Sequence, residues 1–133
     1  MIMRAALKIA IVEDDSGVRT ALQQLLRSGG FDAVAFASAE EFLAHDGGED
    51  FACLIADINL PGISGVDLVE TLGAAGHVLP AILITGGRDA ATAELTRQAG
   101  DMPTLYKPFT DAALFAAIGR FVNTQSVTRV CLD

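Results

Sequence analysis

The sequence predicts an α/β domain: one doubly wound, five-stranded parallel sheet with helices on both faces. Three observations lead there. Short apolar runs alternate five times with segments whose apolar residues recur at helical spacing. The runs are almost continuously apolar, as strands covered on both faces require. Repeated strand-then-helix units build parallel sheets, because each helix carries the chain back to start a neighbouring strand.

The first strand is Lys8-Ile9-Ala10-Ile11-Val12. Val18, Ala21, Leu22, Leu25 and Leu26 then share one helical face, and Gly29-Gly30 ends that helix. Asp32–Phe36 is a weaker second strand. Ser38 with Glu41 three positions on is a capping-box pattern opening a short second helix. Phe51–Ala56 is the third strand, and Asp57–Gly65, with Pro61, Gly62 and Gly65, reads as a loop. Val66, Leu68, Val69 and Leu72 mark a third helix, expected to break at Gly73 and Gly76. Ala81–Ile84 is the fourth strand and Asp89–Ala99 the fourth helix. Thr104–Lys107 is a short fifth strand. Thr110 caps a last helix with Ala113, Leu114, Ala117, Ile118 and Phe121 inward. Residues 1–122 make one domain without internal repeat or linker. Residues 123–133 leave the pattern and are expected to be a linker remnant, an extra strand or a frayed tail.

The chain has 133 residues, 51% of them hydrophobic, enough for one well-filled core. Its formal net charge of −8 argues against direct nucleic-acid binding, which needs Lys and Arg against phosphates. No helix-turn-helix output domain is expected within the residues after 122, and the chain is expected to be either a stand-alone unit or a segment of a larger protein. No run approaches the ~18 apolar residues of a membrane span, and the N-terminus lacks a secretory pattern. A cytoplasmic location is expected. Cys53 and Cys131 lack metal-ligand spacing, and Cys53 in its strand reads as a small buried hydrophobe. His45 and His77 are isolated and expected at the surface. Arg88, Arg97 and Arg120 read as solvated helix positions or parts of a partner surface.

Polar residues sit at four strand ends: Glu13-Asp14-Asp15, Asp57, Thr85 and Lys107-Pro108. In open α/β sheets ligands bind beyond the carboxyl ends of strands, where strand order reverses. In the flavodoxin-like order 2-1-3-4-5 the reversal lies between strands 1 and 3, so Glu13 and Asp14 face Asp57. Thr85 comes from the neighbouring fourth strand, and the long Lys107 side chain spans the remaining gap. Acids, a hydroxyl and an amine placed so can hold a divalent cation and accept a phosphoryl group on a carboxylate. Asp15 reads as a loop or cap residue.

These residues resemble the receiver domain of two-component response regulators, over residues 7–122. The motifs are Ile-Val-Glu13-Asp14-Asp15, Asp57-Ile-Asn59-Leu-Pro61-Gly62, Ile-Thr85-Gly86 and Tyr-Lys107-Pro108-Phe109. Each is common alone; all four in order at strand ends are specific. The resemblance implies that Asp57 is the phosphoacceptor and a metal ligand. Asp14 would bind Mg2+ directly, Glu13 through water, and Asn59 by its backbone carbonyl, with Mn2+ as a substitute. Thr85 and Lys107 would contact phosphoryl oxygens, and the Lys107–Pro108 peptide would be cis. The implied partners are a histidine kinase or a histidine phosphotransfer protein, and a phosphorylation-linked homodimer through the fourth and fifth helices. The protein would not be an enzyme with a separate substrate; it would assist its own phosphorylation and dephosphorylation. Physics agrees: phosphoryl transfer needs mostly positioning and charge neutralisation. The small Gly86 is expected to leave the phosphoryl position open.

One departure stands out. Receiver domains often carry a switching aromatic three positions before the lysine, and here that position is Thr104. Tyr106 points away from Lys107 in a regular strand. Switching is therefore expected to rely on Thr85 and the 86–89 loop. Two other readings compete. A Mg2+-dependent aspartyl-nucleophile phosphatase of the haloacid-dehalogenase kind would need Asp-x-Asp after the first strand, a form absent here, and no substrate-capping insertion is visible. A receiver-like binding module without phosphorylation would not need Glu13, Asp14, Asp57, Thr85 and Lys107 together.

Overall fold

A computed structural model describes residues 7–45, 51–76, 79–86, 90–100 and 102–132. His77, Arg88 and the Cys131 side chain lie outside what is described. The elements run β1 (Lys8–Val12), α1 (Ser16–Ser28), β2 (Asp32–Phe36), α2 (Ala39–Ala44), β3 (Phe51–Asp57), α3 (Gly65–Ala74), β4 (Ala81–Thr85), α4 (Ala90–Ala99), β5 (Thr104–Tyr106) and α5 (Asp111–Leu132). The five strands pair in parallel, in the order β2-β1-β3-β4-β5.

Alternation along each strand sorts the apolar side chains into two layers, because successive residues face opposite sides. Ala10, Val12, Leu54, Ala56 and Leu83 face α2, α3 and α4, where they meet Phe42, Val66, Leu68 and Ala99. Ile9, Ile11, Cys53, Ile55, Ile82 and Ile84 face α1 and α5, where they meet Leu22, Leu26, Leu114 and Ile118. The near-continuous apolar runs are thus the signature of a sheet buried on both sides.

The helix starts are locally encoded. Asp15 caps α1 by accepting from Val18 N at 3.0 Å. Ser38 caps α2 by accepting from Glu41 N, while Glu41 reaches one residue further back than the usual box, to Ala37 N at 3.2 Å. Ser64 caps α3 and Thr110 accepts from Ala113 N at the start of α5. Gly30, just past α1, has φ of 92°, which its missing Cβ permits.

Several boundaries differ from the sequence reading. Gly73 lies inside α3; one glycine near a helix end costs only about 1 kcal/mol, and buried Val66 and Leu68 anchor the helix. Asp57 and Thr85 are the last residues of their strands, not the first of their loops, and Lys107 follows β5. Residues 123–132 continue α5 as helix. His45 is not an isolated surface residue. It is half-buried at the C-cap of α2, with its ring 5.1 Å from Phe36 and 6.3 Å from Phe51. No described helix is long and apolar enough to cross a membrane.

Candidate phosphoryl site

The register brings the strand ends together. Val12 pairs with Ala56, so Glu13 and Asp57 are the next residues on adjacent strands. Asp57 in turn pairs with Ile84, one residue before Thr85. Glu13 is only 1% exposed and Asp57 6%, while Asp14 is exposed. One oxygen from each of Glu13, Asp14 and Asp57 lies within 4.8 Å of the others. Such a set can hold one divalent cation, whose oxygen-rich shell suits carboxylates.

Lys107 closes the group. Its Nζ donates to Glu13 Oε1 at 3.1 Å and to Asp57 Oδ2 at 3.2 Å. The Lys107–Pro108 peptide is cis, as the resemblance implied. The Asn59 backbone N–H donates to the other Asp57 oxygen, Oδ1, at 2.9 Å. The Asp15 backbone N–H donates to Glu13 Oε2 at 3.1 Å. Burial pushes the Glu13 carboxyl above its ordinary 4.5, and the Asp57 charge adds to this. The Asp15 N–H and Lys107 pull the other way without reversing it. Burial alone would lower Lys107, but its carboxylate partners Glu13 and Asp57 outweigh this and raise it above 10.5.

The strand ends gather every residue expected at the site. Thr85 is fully buried at the tip of β4; its carbonyl accepts from the Lys107 backbone N–H at 2.8 Å, and its Oγ1 accepts from Asn59 Nδ2 at 3.5 Å. A Cβ on Gly86 would lie 3.4 Å from Lys107 Cδ, an ordinary contact, so Gly86 sits directly against the lysine stem. The Asp15 side chain caps α1, while its backbone N–H holds Glu13. Thr104 is half-buried with its hydroxyl on Met102 O, and Tyr106 is 58% exposed.

Two residues near the site gave no sequence signal. Arg19, on α1, donates from Nη1 to the backbone carbonyls of Glu13 at 2.8 Å and Asp14 at 3.3 Å, bracing the acidic loop. Thr92, on α4, donates to Asn59 Oδ1 at 3.1 Å. Both act on backbone or on a side chain far away in sequence, where spacing carries no message. Cys53 is buried, with its thiol pushed up to about 12, so it is inert.

Known proteins resemble this chain in sequence and fold. The family model described as response regulator receiver domain matches residues 9–119. The chain is 36% identical over 116 residues to the transcriptional regulatory protein FixJ of Azorhizobium caulinodans, covering 87% of this chain and 55% of that protein. It is 37% identical over 110 residues to nodulation protein W of Bradyrhizobium diazoefficiens, covering 83% and 48%. The chain thus spans about half the length of these curated relatives. Among solved structures, a CheY-like receiver domain protein from Methanospirillum hungatei superposes with a TM-score of 0.79 at 26% identity, covering 93% of this chain and 99% of that one. The FixJ-N crystal structure superposes with a TM-score of 0.76 at 34% identity, covering 88% and 94%. With its sheet order, its acidic cluster and its lysine accounted for together, this chain belongs to the response regulator receiver domain family of two-component systems.

Proposed function

We propose that Asp57 accepts a phosphoryl group from a phosphohistidine on a histidine kinase or histidine phosphotransfer protein. One observation carries this: Lys107 Nζ bridges Glu13 and Asp57, within a group of three acids whose oxygens lie within 4.8 Å. Asp57 attacks phosphorus; an O–P bond forms, the donor N–P bond breaks, and the released imidazole nitrogen takes up a proton. The Asn59 N–H fixes one Asp57 oxygen while Lys107 offsets the charge gathered around the other. Thr85, at the adjoining strand tip, supplies a hydroxyl for a phosphoryl oxygen. Asp14, Asp57 and the Asn59 carbonyl, with Glu13 acting through water, would hold Mg2+, or Mn2+ in its place, which when bound neutralises charge on the phosphoryl oxygens. An apolar groove lies beside Lys107, lined by Val18, Leu22, Leu25, Pro108 and Phe109. The modified site then alters the α4–α5 face, where a phosphorylation-linked homodimer or another protein contact reads it, with Thr85 carrying the change; the 87–89 segment expected to share it lies outside the described residues. The domain acts in the cytoplasm by protein contact, without binding nucleic acid itself.

Incubation with acetyl phosphate and Mg2+ tests the proposal. The mass of the wild type should rise by one phosphoryl group, and that of Asp57→Asn should not. Labelling that survives the substitution contradicts it. Continuous turnover of a phosphomonoester would instead favour the phosphatase reading.

A further inference from the structure

Thr92 stands in the first turn of α4 and is 3% exposed. Its hydroxyl donates to Asn59 Oδ1, and the Asn59 amide donates onward to Thr85 Oγ1. The two bonds run head to tail, from α4 across the loop after β3 to the tip of β4. A hydroxyl has one proton and two acceptor positions. Accepting from Asn59 therefore engages a lone pair of Thr85, not its proton, and biases where that proton points. The same Asn59 grips Asp57 Oδ1 through its backbone N–H at 2.9 Å. One residue thus touches the acceptor carboxylate with its main chain and α4 with its side chain.

We propose that Thr92 is a positioning residue: by holding the Asn59 carboxamide, it turns the Thr85 hydroxyl toward the phosphoryl group on Asp57 and ties the first turn of α4 to the site. This rests on the reading of Asp57 as phosphoacceptor. The tie works in both directions. A shift of Thr85 or Asn59 on phosphorylation pulls on Thr92 and so on α4. Asn59 is exposed to water, so the effect is graded.

Thr92→Val removes the hydroxyl and keeps the branched shape; Thr92→Ser restores the donor. The Val variant should take phosphoryl from acetyl phosphate about three- to tenfold more slowly, as loss of one neutral hydrogen bond implies. Its Mg2+ affinity should stay at the wild-type value, and the Ser variant should recover most of the rate. Equal rates for wild type and Val overturn the proposal. NMR of the unphosphorylated, metal-free protein gives a separate reading. Thr92→Val should move the Asn59 side-chain amide signals and speed amide exchange in the first turn of α4. Signals that coincide with wild type overturn the tie, whether or not Asp57 accepts phosphoryl. Wild type that takes up no phosphoryl while those signals do move removes the phosphoacceptor reading and leaves the tie standing. Should the Val variant not fold, Asn59→Ala gives the phosphorylation rate and the amide exchange in the first turn of α4. A Thr92→Ala, Asn59→Ala double variant no slower than Asn59→Ala then supports the tie, and a further slowing overturns it.

Discussion

Glu13 is buried at 1% exposure beside another acid, and burial raises its folded pKa above 4.5. A raised acid binds its proton more tightly folded than unfolded, so ionised Glu13 works against the fold at neutral pH. Glu13→Gln keeps the shape and an oxygen for the Asp15 N–H. It should therefore leave the thermal midpoint of the metal-free protein at pH 7 no lower than wild type. Its Mg2+ affinity should fall roughly 10–100-fold, as for loss of an outer-shell partner. Scanning calorimetry and titration calorimetry check the two halves. Lys107 has the opposite sign. Its folded pKa is raised above 10.5, so its contribution is fully present below that value and lost as pH rises through the folded pKa. The stability gap between wild type and Lys107→Gln should be constant from pH 7 to 9 and shrink above 10.5. A gap that persists at pH 12 would contradict the pairing with Glu13 and Asp57. The charged residues were legible in the sequence because each ends an apolar run. Thr92 and Arg19 were not, since their partners lie 33 and 6 or fewer residues away with no shared pattern.

At the level of elements, the loop from β3 into α3 sets the acceptor in place. The Gly65 N–H donates to Ile58 O at 3.2 Å. A Cβ on Gly65 would lie 2.4 Å from Asp57 O and 3.2 Å from Ile58 Cα, both backbone atoms that cannot swing aside. Gly65→Ala should cost about 1–3 kcal/mol, as overpacking does, and slow phosphorylation by shifting the loop after Asp57. Urea unfolding and the acetyl phosphate assay measure both; wild-type values in each would show that α3 can move freely against β3. The helix caps at Asp15, Ser38, Ser64 and Thr110 were readable or natural for their residue types, because capping is local chemistry. Gly73 misled, because its small propensity cost is overridden by the packing of α3, which no local window contains.

Over the whole molecule, the order β2-β1-β3-β4-β5 is the flavodoxin-like one expected for five strand–helix units, so the sheet was legible before the structure. Glu13, Asp57 and Thr85 then meet because three neighbouring strands end at one edge. What the sequence could not show is the third dimension of single side chains. The turn of His45 into the Phe36–Phe51 cluster is one case, and the bridging position of Lys107 Nζ is another. The central claim is that this edge makes one carboxylate, that of Asp57, the phosphoryl acceptor. Reductive trapping tests it most directly. Borohydride added after acetyl phosphate and Mg2+ converts an aspartyl phosphate to homoserine, which peptide mass mapping locates. The account predicts homoserine at position 57 and at neither 14 nor 15; trapping at another acid, or none from a phosphorylated protein, would contradict it.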